Sequence, residues 1–143
     1  MKKKTTYDLR TERMDYIFDT HAHYDDEAFD ADREEVLTGL KKQGIGTVVN
    51  VGASIASTKT TLALAETHSF MYAAVGVHPN ETAELTVADM KWLESLAENP
   101  KVVAIGEIGL DYYWDEPERE IQKHWFSAQL EVAKKTGLPV IIH

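Results

Sequence analysis

The sequence predicts an α/β fold of the TIM-barrel (β/α)8 type, here a partial barrel of parallel strands in βαβαβαβαβ order. Three observations predict it. Apolar, β-branched runs beginning near residues 17, 47, 71, 102 and 139 alternate with helical patterns, and such alternation implies a parallel sheet with right-handed crossovers. His21, His23, Asn50, His78, Glu107 and His143 each fall at the C-terminal end of one of these runs, where a barrel of this kind builds its site. The glycine-rich dinucleotide fingerprint of an open doubly wound sheet is missing after the first run, where Thr20-His21-Ala22-His23 stands instead. An open sheet also fits the alternation, but the strand-end polar residues favour the barrel.

The elements follow in order. Tyr16 to His23 reads as a short buried strand ending in two histidines, followed by an acidic loop at Asp25-Asp26-Glu27 expected to be solvated. A helix is expected from about Ala31 to Gln43, with Asp30 as N-cap, a stripe of Val36, Leu37 and Leu40, and Gly44 at its end. Thr47 to Val51 is a continuous β-branched run of the doubly buried kind. Ser54 is placed to cap the next helix, which reaches about His68 and buries Leu62 and Ala65. Met71 to Val77 is the third strand, stopped at His78-Pro79 because proline continues neither ladder nor helix. Thr86 and Asp89 resemble a capping box, with Leu85 and Met90 at the staple positions, and Trp92, Leu93 and Leu96 form the apolar face before Asn99-Pro100. Val102 to Gly106 runs into Glu107-Ile108-Gly109-Leu110-Asp111. The last helix is expected from about Glu118 to Thr136 with Ile121, Trp125, Ala128 and Val132 inward and Gly137 as its C-terminal cap; Pro139 to Ile142 opens a fifth strand.

The chain has 143 residues, 43% hydrophobic and 27% charged, enough for one sizeable core. A complete barrel needs about 250 residues. The expected organisation is therefore a flexible N-terminal extension over 1–15 and the N-terminal half of a barrel over 16–143. There are no cysteines, which excludes disulfides, thiolate nucleophiles and Cys-type zinc sites and fits a reducing compartment. Met1-Lys2-Lys3-Lys4 is followed by polar residues rather than an apolar signal segment, and no run approaches membrane-spanning length, so the expected location is cytoplasmic with no membrane partner. A net charge of −9 argues against a broad basic nucleic-acid footprint, though bound cations can still recruit phosphodiesters.

Side chains alternate along a strand, so His21, His23 and Asp19 point the same way. Two imidazoles on one face at a strand end are a good start on a metal site; the plain competing reading is a pair closing the strand by hydrogen bonds. Glu107 lies between apolar Ile105 and Ile108, and a buried carboxylate needs a metal or a cationic partner. Mixed histidine and carboxylate ligands favour Zn²⁺, Mn²⁺, Co²⁺ or Fe²⁺ in a tight position over Mg²⁺. Such a centre runs metal-assisted hydrolysis. Asp111 is expected to hold the loop after the fourth strand through backbone hydrogen bonds. His68 and His124 are expected to be plain helix residues, Trp92 and Trp125 core. Tyr112, Tyr113 and Trp114 are placed either to stack on bases of a single strand or to pack over the rim.

Phe18-Asp19-Thr20-His21-Ala22-His23, Val75-Gly76-Val77-His78-Pro79, Gly106-Glu107-Ile108-Gly109-Leu110-Asp111-Tyr112-Tyr113 and Pro139-Val140-Ile141-Ile142-His143 together resemble successive motifs of the TatD family. These are metal-dependent hydrolases and DNases with an amidohydrolase-like TIM barrel. The resemblance implies that His21 and His23 bind one metal, that Glu107 is a catalytic ligand bridging two metals where both are present, and that His143 binds the second. It implies a substrate-side position for His78, which reads equally as a histidine hydrogen-bonded before Pro79; Asp111 stands beside it as a further substrate-binding candidate. It also implies one or two divalent ions per site, with Mg²⁺ able to support turnover, and two further ligands, a histidine after strand six and an aspartate after strand eight, beyond the residues present here. The implied function is a deoxyribonuclease cleaving phosphodiester bonds of DNA from single-stranded ends. Two alternatives stand beside it: a related amide or ester hydrolase, although Glu107 stands where some amidohydrolases use a carboxylated lysine, and an inactive barrel piece that self-associates through exposed strand edges.

Overall fold

The structure is a computed structural model and describes residues 16–143; the extension expected over 1–15 lies outside the described residues. Five strands form one parallel sheet in the order β1 (Ile17–Ala22), β2 (Ile45–Val51), β3 (Met71–Val75), β4 (Val102–Ile108) and β5 (Val140–Ile142). Strictly sequential order is that of a barrel wall, whereas a doubly wound sheet reverses direction at a switch point. The helices are α1 (Arg33–Gly39), α2 (Ile55–Thr67), α3 (Val87–Leu96) and α4 (Arg119–Thr136). Among the described residues, none is long and apolar enough to cross a membrane.

Alternation along β2 and β3 divides the core into two layers. Val48, Met71, Ala73 and Val75 pack with Leu37, Leu93, Ile105 and Val132 in the layer between sheet and helices. Val49, Val51, Ala74 and Ala104 form a smaller cluster on the opposite face. The doubly buried character read from the Thr47–Val51 run follows from this arrangement.

Most caps follow the sequence. Ser54 accepts from the Ser57 N–H at the start of α2. Thr86 and Asp89 make a reciprocal capping box on α3, and Gly137 closes α4 at φ +70°. The first helix differs: a 3₁₀ turn over Glu27–Phe29 is capped by Asp26, α1 starts only at Arg33, and its last part, Leu40–Gln43, is again 3₁₀. Asp30 is not the cap, because its carboxylate takes the Arg33 guanidinium at 2.6 Å. In α4 the buried residues are Gln122, Gln129, Val132 and Ala133. Ile121 remains 37% exposed because Gln122 takes the inward place at the first turn, whereas Trp125, Ala128 and Val132 face the core as expected. His68 is paired with Glu34 at 3.2 Å, while Trp92 and Trp125 pack against the core as expected.

Candidate metal centre

Three strand ends and the loop after β3 bring the site together. The β1–β2 register places Asp19 opposite Val48 and Ala22 opposite Asn50, so β1 carries one extra residue at Thr20-His21. The β4–β5 register pairs Ile105 with Val140 and Ile108 with Ile142, which puts one extra residue in β4 at Gly106-Glu107. Such bulges re-aim side chains beside active sites. Here they occur in the two strands that carry His21 and Glu107.

The Glu107 side chain, 7% exposed as a residue, divides its two oxygens between two groups of imidazoles. Oε2 lies 3.3 Å from His21 Nε2 and 3.6 Å from His23 Nε2. Oε1 lies 2.7 Å from His143 Nδ1. His21 and His23 face each other through Nε2 atoms 3.2 Å apart, and His78 Nε2 faces His143 Nδ1 at 3.1 Å. Two potential ligand trios result, His21–His23–Glu107 and His78–Glu107–His143, sharing the carboxylate. Nitrogens on one tetrahedral metal at about 2.0 Å stand about 3.3 Å apart, so the His21–His23 spacing fits an ion between them.

Hydrogen bonds orient the rings. His23 Nδ1 donates to the Val51 carbonyl at 2.9 Å, leaving the Nε2 lone pair for the site, as metal-ligating histidines require. His143 Nε2 donates to Asp111 Oδ2 at 3.0 Å, which turns Nδ1 toward Glu107. His78 is different. Its Nδ1 accepts from the Asn80 N–H at 3.2 Å, capping the 3₁₀ turn Pro79–Glu81. A neutral ring that accepts at Nδ1 carries its proton on Nε2, so the edge turned to the cleft donates and offers no lone pair.

The same contacts shift the titrations. Burial alone would raise Glu107, but the hydrogen bond from His143 and the nearby His21, His78 and His143 outweigh it and hold the carboxyl below its ordinary value. Burial would lower His143, yet its hydrogen bonds to Glu107 and Asp111 raise it. His78 is lowered, by burial first and then by His143. The backbone N–H of Tyr113 is the main cause that lowers Asp111.

A match to the family model of the TatD related DNase covers residues 18–143. The chain belongs to the TatD family. It is 42% identical over 127 residues to the uncharacterized metal-dependent hydrolase YabD of Bacillus subtilis, covering 89% of this chain and 50% of that protein. It is 33% identical to the 3'-5' ssDNA/RNA exonuclease TatD of Musicola paradisiaca, over 89% of this chain and 48% of that one. The crystal structure of the TatD homologue YjjV from Escherichia coli superposes with a TM-score of 0.83 at 35% identity, over 92% of this chain and 51% of that chain. The chain thus spans about half the length of the relatives it matches.

Within this TatD-family site, two sequence expectations need correction. Asn50 does not face the cleft. The alternation of β2 turns its fully buried amide toward α2, where Nδ2 donates to Thr61 Oγ1 and to Asp25 Oδ1, both at 2.8 Å, while Oδ1 accepts from the Tyr24 N–H at 2.6 Å. The acidic stretch 25–27 is not simply solvated either. Asp25 accepts from Asn50 and from Ser57 Oγ at 2.6 Å, so the loop after His23 is tied down. Ser57, Gln122 and Gln129 were not singled out from the sequence. The glutamines had a readable signal, two amides seven residues apart on a helix face; Ser57 had none. Gly109 is needed for packing: a Cβ there would sit 2.8 Å from the His143 carbonyl oxygen.

In the metal-free protein, Asp111→Asn removes a carboxylate partner that raises His143, so the His143 titration moves to lower pH. Imidazole NMR against pH measures it, and an unchanged midpoint would contradict the pairing.

Proposed function

We propose that residues 16–143 form the N-terminal half of a barrel and supply His21, His23, Glu107 and His143 as ligands to a divalent-metal centre that hydrolyses phosphodiester bonds of DNA at single-stranded ends. The observation that carries this reading is the division of Glu107, one oxygen toward His21 and His23 and the other toward His143. It is the arrangement expected of a carboxylate shared between two ions. The donor set of imidazole nitrogen and carboxylate oxygen suits Zn²⁺, Mn²⁺, Co²⁺ or Fe²⁺ in the tight position, and the family resemblance adds Mg²⁺ as a candidate for supporting turnover. Such ions, when bound, supply a water acidic enough to ionise near neutral pH and positive charge for the leaving oxygen.

The chain's own residues do the rest. His23 is oriented by Val51, and His143 by Asp111. His78, with its Nε2 proton turned to the cleft, is placed to donate to a phosphate oxygen rather than to ligate. Asp111 also accepts from the Tyr113 N–H at 3.0 Å, which ties the site to an exposed aromatic pair. Tyr113 and Trp114 are 83% and 69% exposed and meet edge to face at 4.7 Å. Open rings beside a hydrolytic centre suit stacking on unpaired bases, and the relatives named as ssDNA/RNA exonucleases support that substrate class.

The test is hydrolysis of end-labelled single-stranded DNA with and without Mg²⁺ or Mn²⁺, beside the base-free diester bis(p-nitrophenyl) phosphate and a simple amide. Metal-dependent cleavage of both diesters is expected. Cleavage of the amide alone would favour the related amide hydrolase. Tyr113→Ala combined with Trp114→Ala is expected to raise KM for the DNA about 10-fold or more, at ~1–3 kcal/mol per stacked base, while leaving the base-free diester unaffected.

A second reading has its own support. The sheet edges β1 and β5 expose Ile17 (61%), Phe18 (58%) and Ile142 (59%), and open edges invite pairing with another chain. A light-scattering mass of one chain, unchanged with concentration, would rule out self-association.

A further inference from the structure

Helix α4 carries two side chains that neither the hydrolytic reading nor core packing uses up. Gln122 and Gln129 are 0% and 1% exposed and stand seven residues apart, so two helical turns stack them on one face. A primary amide offers an acceptor oxygen and donor hydrogens, which lets it engage both the N–H and the C=O of one backbone residue. Both glutamines do so. Gln129 Oε1 accepts from the Val77 N–H at 2.8 Å, and its Nε2 donates to the Val77 carbonyl at 3.0 Å. Gln122 Oε1 accepts from the Asp111 N–H at 2.8 Å, and its Nε2 donates to the carbonyls of Asp111 and Pro117, both at 2.9 Å.

The two gripped residues lie just past the ends of β3 and β4, where the ladder no longer supplies backbone partners. Val77 is followed by His78, whose Nε2 faces His143 Nδ1 at 3.1 Å. Asp111 faces the other nitrogen of the same ring, Nε2, at 3.0 Å. The two amides on one helix therefore hold the two groups that flank His143. An apolar residue at either position would bury more readily, but it would leave a backbone N–H and C=O unpaired in the interior.

We propose that Gln122 and Gln129 are positioning residues of the metal centre. α4 acts as a rigid spacer that fixes Asp111 and His78 about His143, and so sets the affinity of the metal position that His143 serves. The metal half of this proposal rests on the ligand role given to His143 above.

The experiment uses Gln122→Met and Gln129→Met, which keep side-chain length without the amide, in the otherwise unchanged protein. Two readouts are taken. In the metal-free protein, imidazole ¹⁵N NMR reports each ring separately. Gln122→Met is expected to shift His143 Nε2, the nitrogen on Asp111, and Gln129→Met to shift His78, with His21 and His23 unmoved in both. Co²⁺ alone is then titrated by visible absorption, with His21→Ala and His143→Ala marking the two positions. The position lost in His143→Ala is expected to weaken about 10- to 100-fold in each glutamine variant, the range for groups that orient a ligand, while the His21 position stays within about 3-fold. Unmoved imidazole signals, or equal weakening of both Co²⁺ positions, would overturn the proposal. If the wild-type protein takes up no Co²⁺, the hydrolase reading fails, and the NMR pattern alone decides the positioning role. Should a methionine variant not fold, Gln122→Glu and Gln129→Glu keep the shape and the bond from the backbone N–H but set an oxygen against the carbonyl, and the same readouts apply.

Discussion

Glu107→Ala is expected to lower the affinity for the first divalent ion by about 100-fold or more and to take diester hydrolysis to background. Changes to groups that merely orient a ligand already cost about 10–100-fold, and Glu107 is the carboxylate that faces His21 and His23 through one oxygen and His143 through the other. Calorimetric titration with Mn²⁺ measures the affinity, and bis(p-nitrophenyl) phosphate the rate. Wild-type affinity in the variant would remove Glu107 from the centre and with it the two-ion reading. The metal-free protein gives an independent check. The folded-state pKa of Glu107 lies below its ordinary value, so the carboxylate contributes stability above its unfolded pKa and loses it as the pH falls through the folded value. Denaturation of wild type and variant should therefore differ at neutral pH and converge on acidification.

Asn50→Leu is expected to cost about 3 kcal/mol of stability, roughly 10 °C in Tm for a chain of this size. The side chain is 0% exposed, and its amide serves three partners, the Tyr24 N–H, the Asp25 carboxylate and the Thr61 hydroxyl. Leucine fills the volume but leaves those groups unpaired, at about 1–3 kcal/mol for each buried group so stranded. Because Asp25 and Tyr24 directly follow His23, the loss should also loosen the loop behind the His21–His23 pair. Urea denaturation gives the stability and Co²⁺ titration the affinity. A variant as stable as wild type would mean that the network is held by solvent-exposed groups rather than by Asn50.

What the sequence by itself determined was everything that depends on local chemistry or on periodicity. Strand and helix order followed from alternating apolar runs. Ser54, the Thr86–Asp89 box and Gly137 acted as read, because caps are made by residues within one turn of each other. The His-x-His pair and the lone carboxylate of Glu107 in an apolar strand were legible because both break a pattern that burial would otherwise impose. Tertiary structure decided what each polar group answers to. Asn50 belongs to α2 and the loop at Tyr24-Asp25, since strand parity turns it away from the cleft. Ile121 yields its inward place to Gln122, since the loop after β4 leaves the Asp111 N–H and C=O to be paired from the helix. The division of Glu107 between two sets of imidazoles depends on one extra residue in β1 and another in β4. Those bulges exist only in the pairing of strands brought together from distant parts of the chain, and a register is a property of two strands, which neither sequence carries alone.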